Sequence, residues 1–531
     1  MEAEKLNPNE ASNQKRGKTT REKVDNTLTE ELFFGICAPV GSLKEDVIKS
    51  IERVLVNTYD YDVEIKKLST YIDDYKVNEY KQIEKKTEAY SKLRHKITEG
   101  NEIRRKYNNN SVLVELAIQD IHVDRLKENN ENNKVDSNTK IKITDLKSRR
   151  VCYIFDSIKN KEELLLLRRI YTKNFFQFSV FSPESERREN LKGKDLAPTE
   201  IDDIINKDEF ENNDYGQNVR GTFSQGDFFL RVSKENIEGF EQKIDNKIQR
   251  FLHLIFESDI ITPTVEETAM YSAKSAAGNS ACLSRQVGAS IIDVNGNLIS
   301  TGWNDVPKYG GNLYREGDII DDRCKNKGHC SNDTHKDLLV NNLVDSLVED
   351  KKVSNIFNDE NGFLDIKIVE LVKRNLRQSK VKDLIEFSRS VHAEMHAIIS
   401  GSQLSGSKMI NGKLFCTTYP CHNCARHIIV AGIKEVYYIE PYVKSLCLTL
   451  HDDAITEDEN CNEKVRILIF DGVAPRNYLT FFTNFADRKE NGKIIDIEFE
   501  NIKPKISKSL QALPTLEQQA IHSLRECGLI D

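Results

Sequence analysis

The chain contains no apolar run of about 18 residues, which excludes an ordinary membrane-spanning helix. Its first residues, Met1 to Lys5, lack the apolar core of a secretory signal. With a mean hydropathy of −0.55, these features lead us to expect a cytoplasmic protein without membrane contact. Positive charge is not in excess. Lys and Arg number 77 against 85 Asp and Glu, a net −8, which disfavours a surface that grips nucleic acid non-specifically. A single tryptophan also argues against an aromatic-lined channel for single strands. The 11 cysteines follow no disulfide-framework spacing and fit a reducing compartment. There is no internal repeat.

A length of 531 residues predicts two or three domains, and 38% hydrophobic residues suffice for real cores. Residues 1–28 are polar and charged without hydrophobic period, as in a disordered arm. Order begins at Glu31 to Ser42, where an apolar strand runs into a Gly/Pro turn. Leu43, Val47, Ile48, Ile51, Val54 and Leu55 then recur at helical spacing. An alternating strand over 61–66 completes a β–loop–α–β opening, the start of a nucleotide-binding α/β fold with phosphate at a helix N-terminus. Gly35, Gly41 and Ser42 approximate a phosphate-binding P-loop. The interval between the glycines is one residue too long, and no lysine precedes Ser42. Asp156, closing the apolar run 151–156, is where such a protein holds Mg²⁺ or its water. These four residues are the candidates for binding a nucleotide; the alternative is a purely structural turn. A helix over 164–169 and a strand over 175–181 follow, while 107–110 and 129–133 read as Asn-rich loops. Arg94, Lys96, Arg104, Arg105, Arg149 and Arg150 make this half locally basic, either to meet phosphates or as a solvated helix face.

The pattern changes near Pro263. A helix over 264–278, a hairpin turning at Asn295-Gly296, and a long insertion over 305–385 lead to the chemistry. His392-Ala-Glu394 precedes Pro420-Cys421-His422-Asn423-Cys424. His392, Cys421 and Cys424 supply three zinc ligands and leave a fourth tetrahedral position for water. Zinc lowers the pKa of water from about 15.7 towards about 7, and Glu394 is placed to carry the proton. This is the H-x-E…P-C-x-x-C signature of zinc nucleobase deaminases. A helix is expected over 391–401, a strand over 413–418, a helix over 421–431 and a strand over 435–440. The bland alternative is a structural zinc site or buried thiols; His396, His422 and His427 read as packing or surface residues. Cys324, His329, Cys330 and His335, within twelve residues, could hold a second, structural zinc that folds the insertion, or remain unliganded.

Four motifs, Ser284-Arg-Gln-Val-Gly-Ala289, Thr301-Gly-Trp-Asn-Asp-Val-Pro307, His392-Ala-Glu-Met395 and Pro420-Cys-His-Asn-Cys424, make residues 265–490 resemble the deoxycytidylate deaminase family. The resemblance implies that Asn304 contacts the deoxyribose side of the substrate. Trp303 and His396 depart from the family's usual tyrosine and asparagine. The degenerate P-loop in front of this unit, with Phe470-Asp-Gly-Val-Ala-Pro-Arg476 behind it, resembles bacterial antiphage deoxycytidine-nucleotide deaminases of the DcdV/AvcD type. That likeness implies conversion of dCTP and dCMP to dUTP and dUMP, a homo-oligomer such as a hexamer and, as in some relatives, an inhibitory small RNA. The expected fold is α/β throughout: a disordered arm (1–28), an N-terminal P-loop NTPase/kinase-like parallel-sheet domain (29–260), a cytidine-deaminase-like α/β/α domain (261–500) and a C-terminal tail (501–531). The competing functions are a polynucleotide deaminase acting on tRNA or single-stranded DNA, and a nucleotide-sensing module with a secondary deaminase.

Overall fold

Two six-stranded sheets organise the chain. The computed structural model describes residues 27–133, 148–209, 211, 213–234, 239–350, 352–442, 445–483, 488–495, 499, 502–505 and 512–530. All but the last two residues of the expected arm lie outside them.

The N-terminal sheet contains β1 (Leu32–Cys37), β2 (Asp62–Lys67), β3 (Val151–Asp156), β4 (Phe175–Phe181) and β5 (Phe228–Arg231), paired in parallel in the order β2-β3-β1-β4-β5. Every residue of β1 and β3 is buried. This is why both strands read as continuous apolar runs: a parallel sheet is covered on both faces. Helices Lys44–Tyr59 and Phe240–Phe256 share one core with it through Val47, Ile51, Leu55, Ile248 and Leu252. Helices Val112–Asn133, Lys161–Tyr171 and Leu513–Glu526 share another.

Two expectations are corrected here. Residues 129–133 continue the helix that begins at Val112 rather than forming a loop. The segment expected as a tail contains helix Leu513–Glu526, which buries Leu513, Ala520 and Leu524 in the N-terminal core. Glu517 on that helix is fully buried, ion-paired with Arg125 and 3.2 Å from His122. Arg125 in turn holds Glu31 at 2.6 Å. Three basic residues of this half are internal ties. Arg104 pairs with Glu163 at 2.8 Å, Arg149 with Glu31 at 3.1 Å, and Arg150 donates to the Tyr59 carbonyl at 2.6 Å. Charges spent on such pairs are not offered to a phosphate backbone.

The second sheet combines β6 (Gly288–Ile292), β7 (Leu298–Trp303), β8 (Lys413–Thr418), β9 (Glu435–Glu440), β10 (Ile455–Thr456) and β11 (Val465–Ile469) in the order β7-β6-β8-β9-β11-β10. β6 is antiparallel to β7 and β8; the remaining pairs are parallel. Two glycines let helices lie unusually close to it. A Cβ at Gly288 would stand 1.9 Å from the Ala273 carbonyl oxygen, and one at Gly302 would stand 2.3 Å from that of Ala393. The second contact seats helix Ala393–Ser405 on β7. The insertion folds as helices Ser331–Glu349 and Ile366–Gln378 around Val340, Val344, Phe357 and Val369.

The two sheets are stitched together. β12 (Gly472–Val473), which follows the second sheet in the chain, adds antiparallel to β5. Arg476 and Asn477, just beyond it, bind the buried Asp227.

Candidate active site

Helix N-termini deliver the candidate ligands. His392 is the N-cap of helix Ala393–Ser405, and Cys421 is the N-cap of helix His422–Val430. β8 ends at Thr418, and the extended Tyr419-Pro420 step carries the chain to Cys421. His392 Nδ1 lies 3.3 Å from the Sγ of both Cys421 and Cys424. The three ligand atoms all fall within 4.8 Å of one another, the single such His/Cys/Asp/Glu group among the described residues. A tetrahedral site with Zn–N of about 2.0 Å and Zn–S of about 2.3 Å requires N···S separations of about 3.5 Å. The donor set therefore fits zinc in both chemistry and spacing.

Electrostatics favour a cation there. Burial opposes charge on His392, but hydrogen bonding to Cys421 and the charges of Cys421 and Glu394 hold its pKa up to about 9. Cys421 is drawn down to about 4, chiefly by the hydrogen bond from Cys424 and then by His392. Burial raises Cys424. Glu394, in the first helical turn, is 4% exposed. Burial pushes its carboxyl up to about 7, the Cys421 charge adds to this, and His392 opposes it.

His392, Glu394 and Cys421 border a cavity of about 360 Å³. Asn304, at the end of β7, lines it as well, with both ends of its amide engaged. Oδ1 accepts from Val287 N at 2.7 Å and Nδ2 donates to the Arg285 carbonyl at 2.9 Å. It thereby fixes the turn that presents Arg285. Four cationic side chains, Arg285, Lys336, Lys382 and Arg389, face the same cavity. Sequence reasoning singled out none of the four. Arg285 stood inside a quoted motif, whereas Lys336 and Lys382 sit in the insertion, where no local spacing marks them.

The other candidates are placed differently. His396 Nδ1 accepts from Trp303 N at 3.2 Å and its ring meets the indole edge-on, a packing role. His427 Nδ1 faces the Asn423 carbonyl at 2.7 Å, and His422 lies 3.8 Å from Glu386. Cys324, His329, Cys330 and His335 are not brought together as a metal set. Cys324 and Cys330 line the cavity, His329 faces the Lys327 carbonyl at 3.0 Å, and His335 packs against Phe387. Cys324 opens a short helical turn (Cys324–Lys327), and Cys330 is the N-cap of the next helix, on which His335 lies.

In the N-terminal half, Gly35 lies within β1, where a Cβ would stand 2.5 Å from Ile158 and 2.8 Å from Phe175; its small size serves packing. Gly41 adopts φ +84° in the turn after β1. The turn's amides already have partners: Val40 N donates to Asp208 at 2.7 Å and Leu43 N to Ser182 at 3.2 Å. Lys44 Nζ binds Asp156 and, at 2.6 Å, Ser157. Ser42 Oγ is buried without a partner.

Residues 263–440 match the profile of the cytidine and deoxycytidylate deaminase zinc-binding region. The chain is 28% identical over 169 residues to the deoxycytidylate deaminase of enterobacteria phage T4, covering 31% of this chain and 72% of that protein. It is 22% identical over 326 residues to the Saccharomyces cerevisiae deoxycytidylate deaminase, 58% and 84% of the two chains. A match to ComE operon protein 2 of Bacillus subtilis reaches 46% identity but spans 55 residues, 10% of this chain and only 29% of that protein. Among solved structures, the dCMP deaminase of cyanophage S-TIM5 in complex with dCMP and dUMP aligns at 20% identity and a TM-score of 0.22, covering 40% and 99% of the chains. The His/Cys/Cys cluster lies inside the matched region, and the C-terminal part of the chain is a deaminase domain of the cytidine and deoxycytidylate type.

Proposed function

We propose that the protein hydrolytically deaminates free deoxycytidine nucleotides, dCMP and dCTP, to dUMP and dUTP, with zinc held by His392, Cys421 and Cys424. The observation that carries this reading is the buried Glu394 carboxyl beside that ligand set, on a cavity that cationic side chains also line. Zinc, when bound, supplies the acidity that makes water a nucleophile at neutral pH. Glu394 accepts the water proton and returns it to the pyrimidine ring and the departing ammonia. Its position supports this role: the carboxyl is buried in the first turn of the helix that His392 caps and borders the same cavity. Asn304 orients the sugar side of the substrate through the Arg285–Val287 turn. Arg285, Lys336, Lys382 and Arg389 supply phosphate-binding charge, which favours a nucleotide over a nucleoside.

The physiological consequence we propose is depletion of the deoxycytidine nucleotide pool in antiphage defence, restrained through an N-terminal P-loop-like domain around Gly35, Gly41, Ser42 and Asp156. The resemblance extends to a homo-oligomer and to an RNA inhibitor, neither of which the chemistry requires. The test is ammonia release and product identity from dCTP, dCMP, CTP, deoxycytidine and a cytosine-bearing single strand, with Glu394→Ala as control. Turnover of dCMP or dCTP alone is the expected result; turnover of the single strand alone would overturn the reading.

A further inference from the structure

Two of the four cations that face the cavity beside His392 and Glu394 come from the insertion, which folds around a small core of its own, Val340, Val344, Phe357 and Val369. Lys336 lies on helix Ser331–Glu349 and is 5% exposed, yet it lines the cavity. A buried ammonium needs a partner, and its Nζ donates to the Lys382 carbonyl at 2.9 Å. Lys382 belongs to the short 3-10 turn Lys380–Asp383 that follows helix Ile366–Gln378, and its side chain is exposed. Asn332 stands one helical turn before Lys336, on the same face, and donates to the Leu384 carbonyl at 3.1 Å. Two bonds from one helix face therefore pin residues 382–384 and bring Lys336 and Lys382 to the same wall.

That wall is positive on balance. Three carboxylates also line the cavity: Glu394 beside the candidate ligands, Asp333 and Asp383. Asp333 is already held by Arg377 at 2.8 Å. Asp383 alone remains to set against Lys336, Lys382 and Arg389, whose guanidinium donates to a neutral group, the Asp322 carbonyl, at 3.1 Å. Bringing like charges together is unfavourable unless an anion joins them. The first turn of helix Ser331–Glu349 borders the same space, and its cap makes no side-chain hydrogen bond, so the positive end of that helix adds to the effect.

The fourth cation belongs to a different body. Arg285 is tied to Asn304, whose Nδ2 donates to its carbonyl at 2.9 Å. Its 3.1 Å pair with Glu440 joins two side chains that are 48% and 45% exposed. Pairs that open to water are worth little, so a phosphate can replace Glu440. Cations on two separate bodies suit a ligand that carries charge at more than one place along its length.

We infer that Lys336 and Lys382 read the length of the substrate's phosphate chain. Arg285, next to Asn304 at the sugar, takes the first phosphate; the insertion lysines take the phosphates beyond it, so the cavity prefers dCTP to dCMP. The inference rests on the deaminase reading above and adds the residues that set its preference.

The experiment measures kcat and KM for dCMP, dCDP and dCTP by ammonia release from the full-length, zinc-loaded protein and from Lys382→Ala, Lys336→Met and Arg285→Ala. Thermal midpoints serve as the folding control; Lys382→Ala removes only an exposed side chain, so the test survives if Lys336→Met fails to fold. In the wild type, KM for dCTP should lie about tenfold or more below that for dCMP. Each lysine variant should raise KM for dCTP by about tenfold, the loss of a charged hydrogen bond, with a far smaller rise for dCMP. Arg285→Ala should raise KM for both alike. A wild type that prefers dCMP would overturn the inference, and so would a Lys382→Ala variant that changes neither KM or changes both equally. If the wild type releases no ammonia from any of the three, the deaminase reading fails. Equilibrium dialysis against labelled dCMP and dCTP then decides the inference by itself: tighter dCTP binding that Lys382→Ala abolishes keeps the lysine assignment, and equal binding of the two, or binding of neither, overturns it.

Discussion

Removing the Glu267 carboxylate should uncouple the two halves of the molecule. Glu267 sits in the first turn of helix Val265–Ala277 with its side chain fully buried. Oε1 accepts from Arg250 at 2.9 Å and from Val473 N at 2.8 Å; Oε2 accepts from Arg250 at 2.7 Å and from Thr264 N at 2.7 Å. One carboxylate thus ties the N-terminal helix Phe240–Phe256, the N-cap of the first deaminase helix, and the strand that the C-terminal region lends to the N-terminal sheet. Glu267→Ala leaves the buried Val473 N–H and the part-buried Thr264 N–H without their acceptor, at about 1–3 kcal/mol for a group cut off from water, and strands a partly buried guanidinium. Breaking a buried pair by deleting one partner costs about 3–5 kcal/mol, and the two figures agree. At roughly 2–4 °C per kcal/mol, the thermal midpoint should drop by about 10 °C. Glu267→Gln retains Oε1 as an acceptor for Val473 and should lose less than half as much. Differential scanning calorimetry of both variants decides the matter. Equal midpoints for Glu267→Ala and the wild type would refute the claim that this carboxylate couples the halves, and equal losses for Ala and Gln would refute the role of the Val473 bond.

Glu394→Gln should lower kcat by about 10²–10⁴-fold, the range for a lost general acid–base, with zinc content by plasma mass spectrometry unchanged; loss of the metal would contradict its role as a proton carrier. Gly302→Ala forces a methyl to 2.3 Å from the Ala393 carbonyl oxygen, overpacking worth about 1–3 kcal/mol. Because the displaced helix carries Glu394, activity measured well below the melting range should fall too; a stability loss with full activity would show that the helix tolerates the shift. His253 is bonded to Ser258 at 2.7 Å and burial lowers its pKa from 6.5. The unfolded chain therefore takes up a proton that the folded one refuses, so stability declines as pH falls from about 6.5 towards the folded pKa. Urea unfolding midpoints across that interval should fall less steeply in His253→Gln; identical slopes would remove His253 from the account.

The grouping of His392, Cys421 and Cys424, with Glu394 beside it, was legible because the pattern is local. A histidine and a glutamate two apart, and two cysteines three apart, each sit at a helix N-terminus whatever the rest of the chain does. β1 and β3 were legible for a similar reason: strands covered on both faces must be apolar at every position, and that pattern survives any pairing. The Cys324, His329, Cys330 and His335 cluster misled because nearness along a chain does not fix the direction of side chains across a turn. Tertiary structure alone decided where long-range polar partners fall. Gly472–Val473 joins a sheet whose other strands end at residue 231. Glu517 meets Arg125 across 392 residues, which turns an expected tail into part of the core. Lys336 and Lys382 reach the cavity beside His392 and Glu394. Periodicity and spacing encode which face of an element is buried; which distant carboxylate or amide satisfies a buried charge depends on how elements pack, and a lone arginine or glutamate carries no mark of its partner.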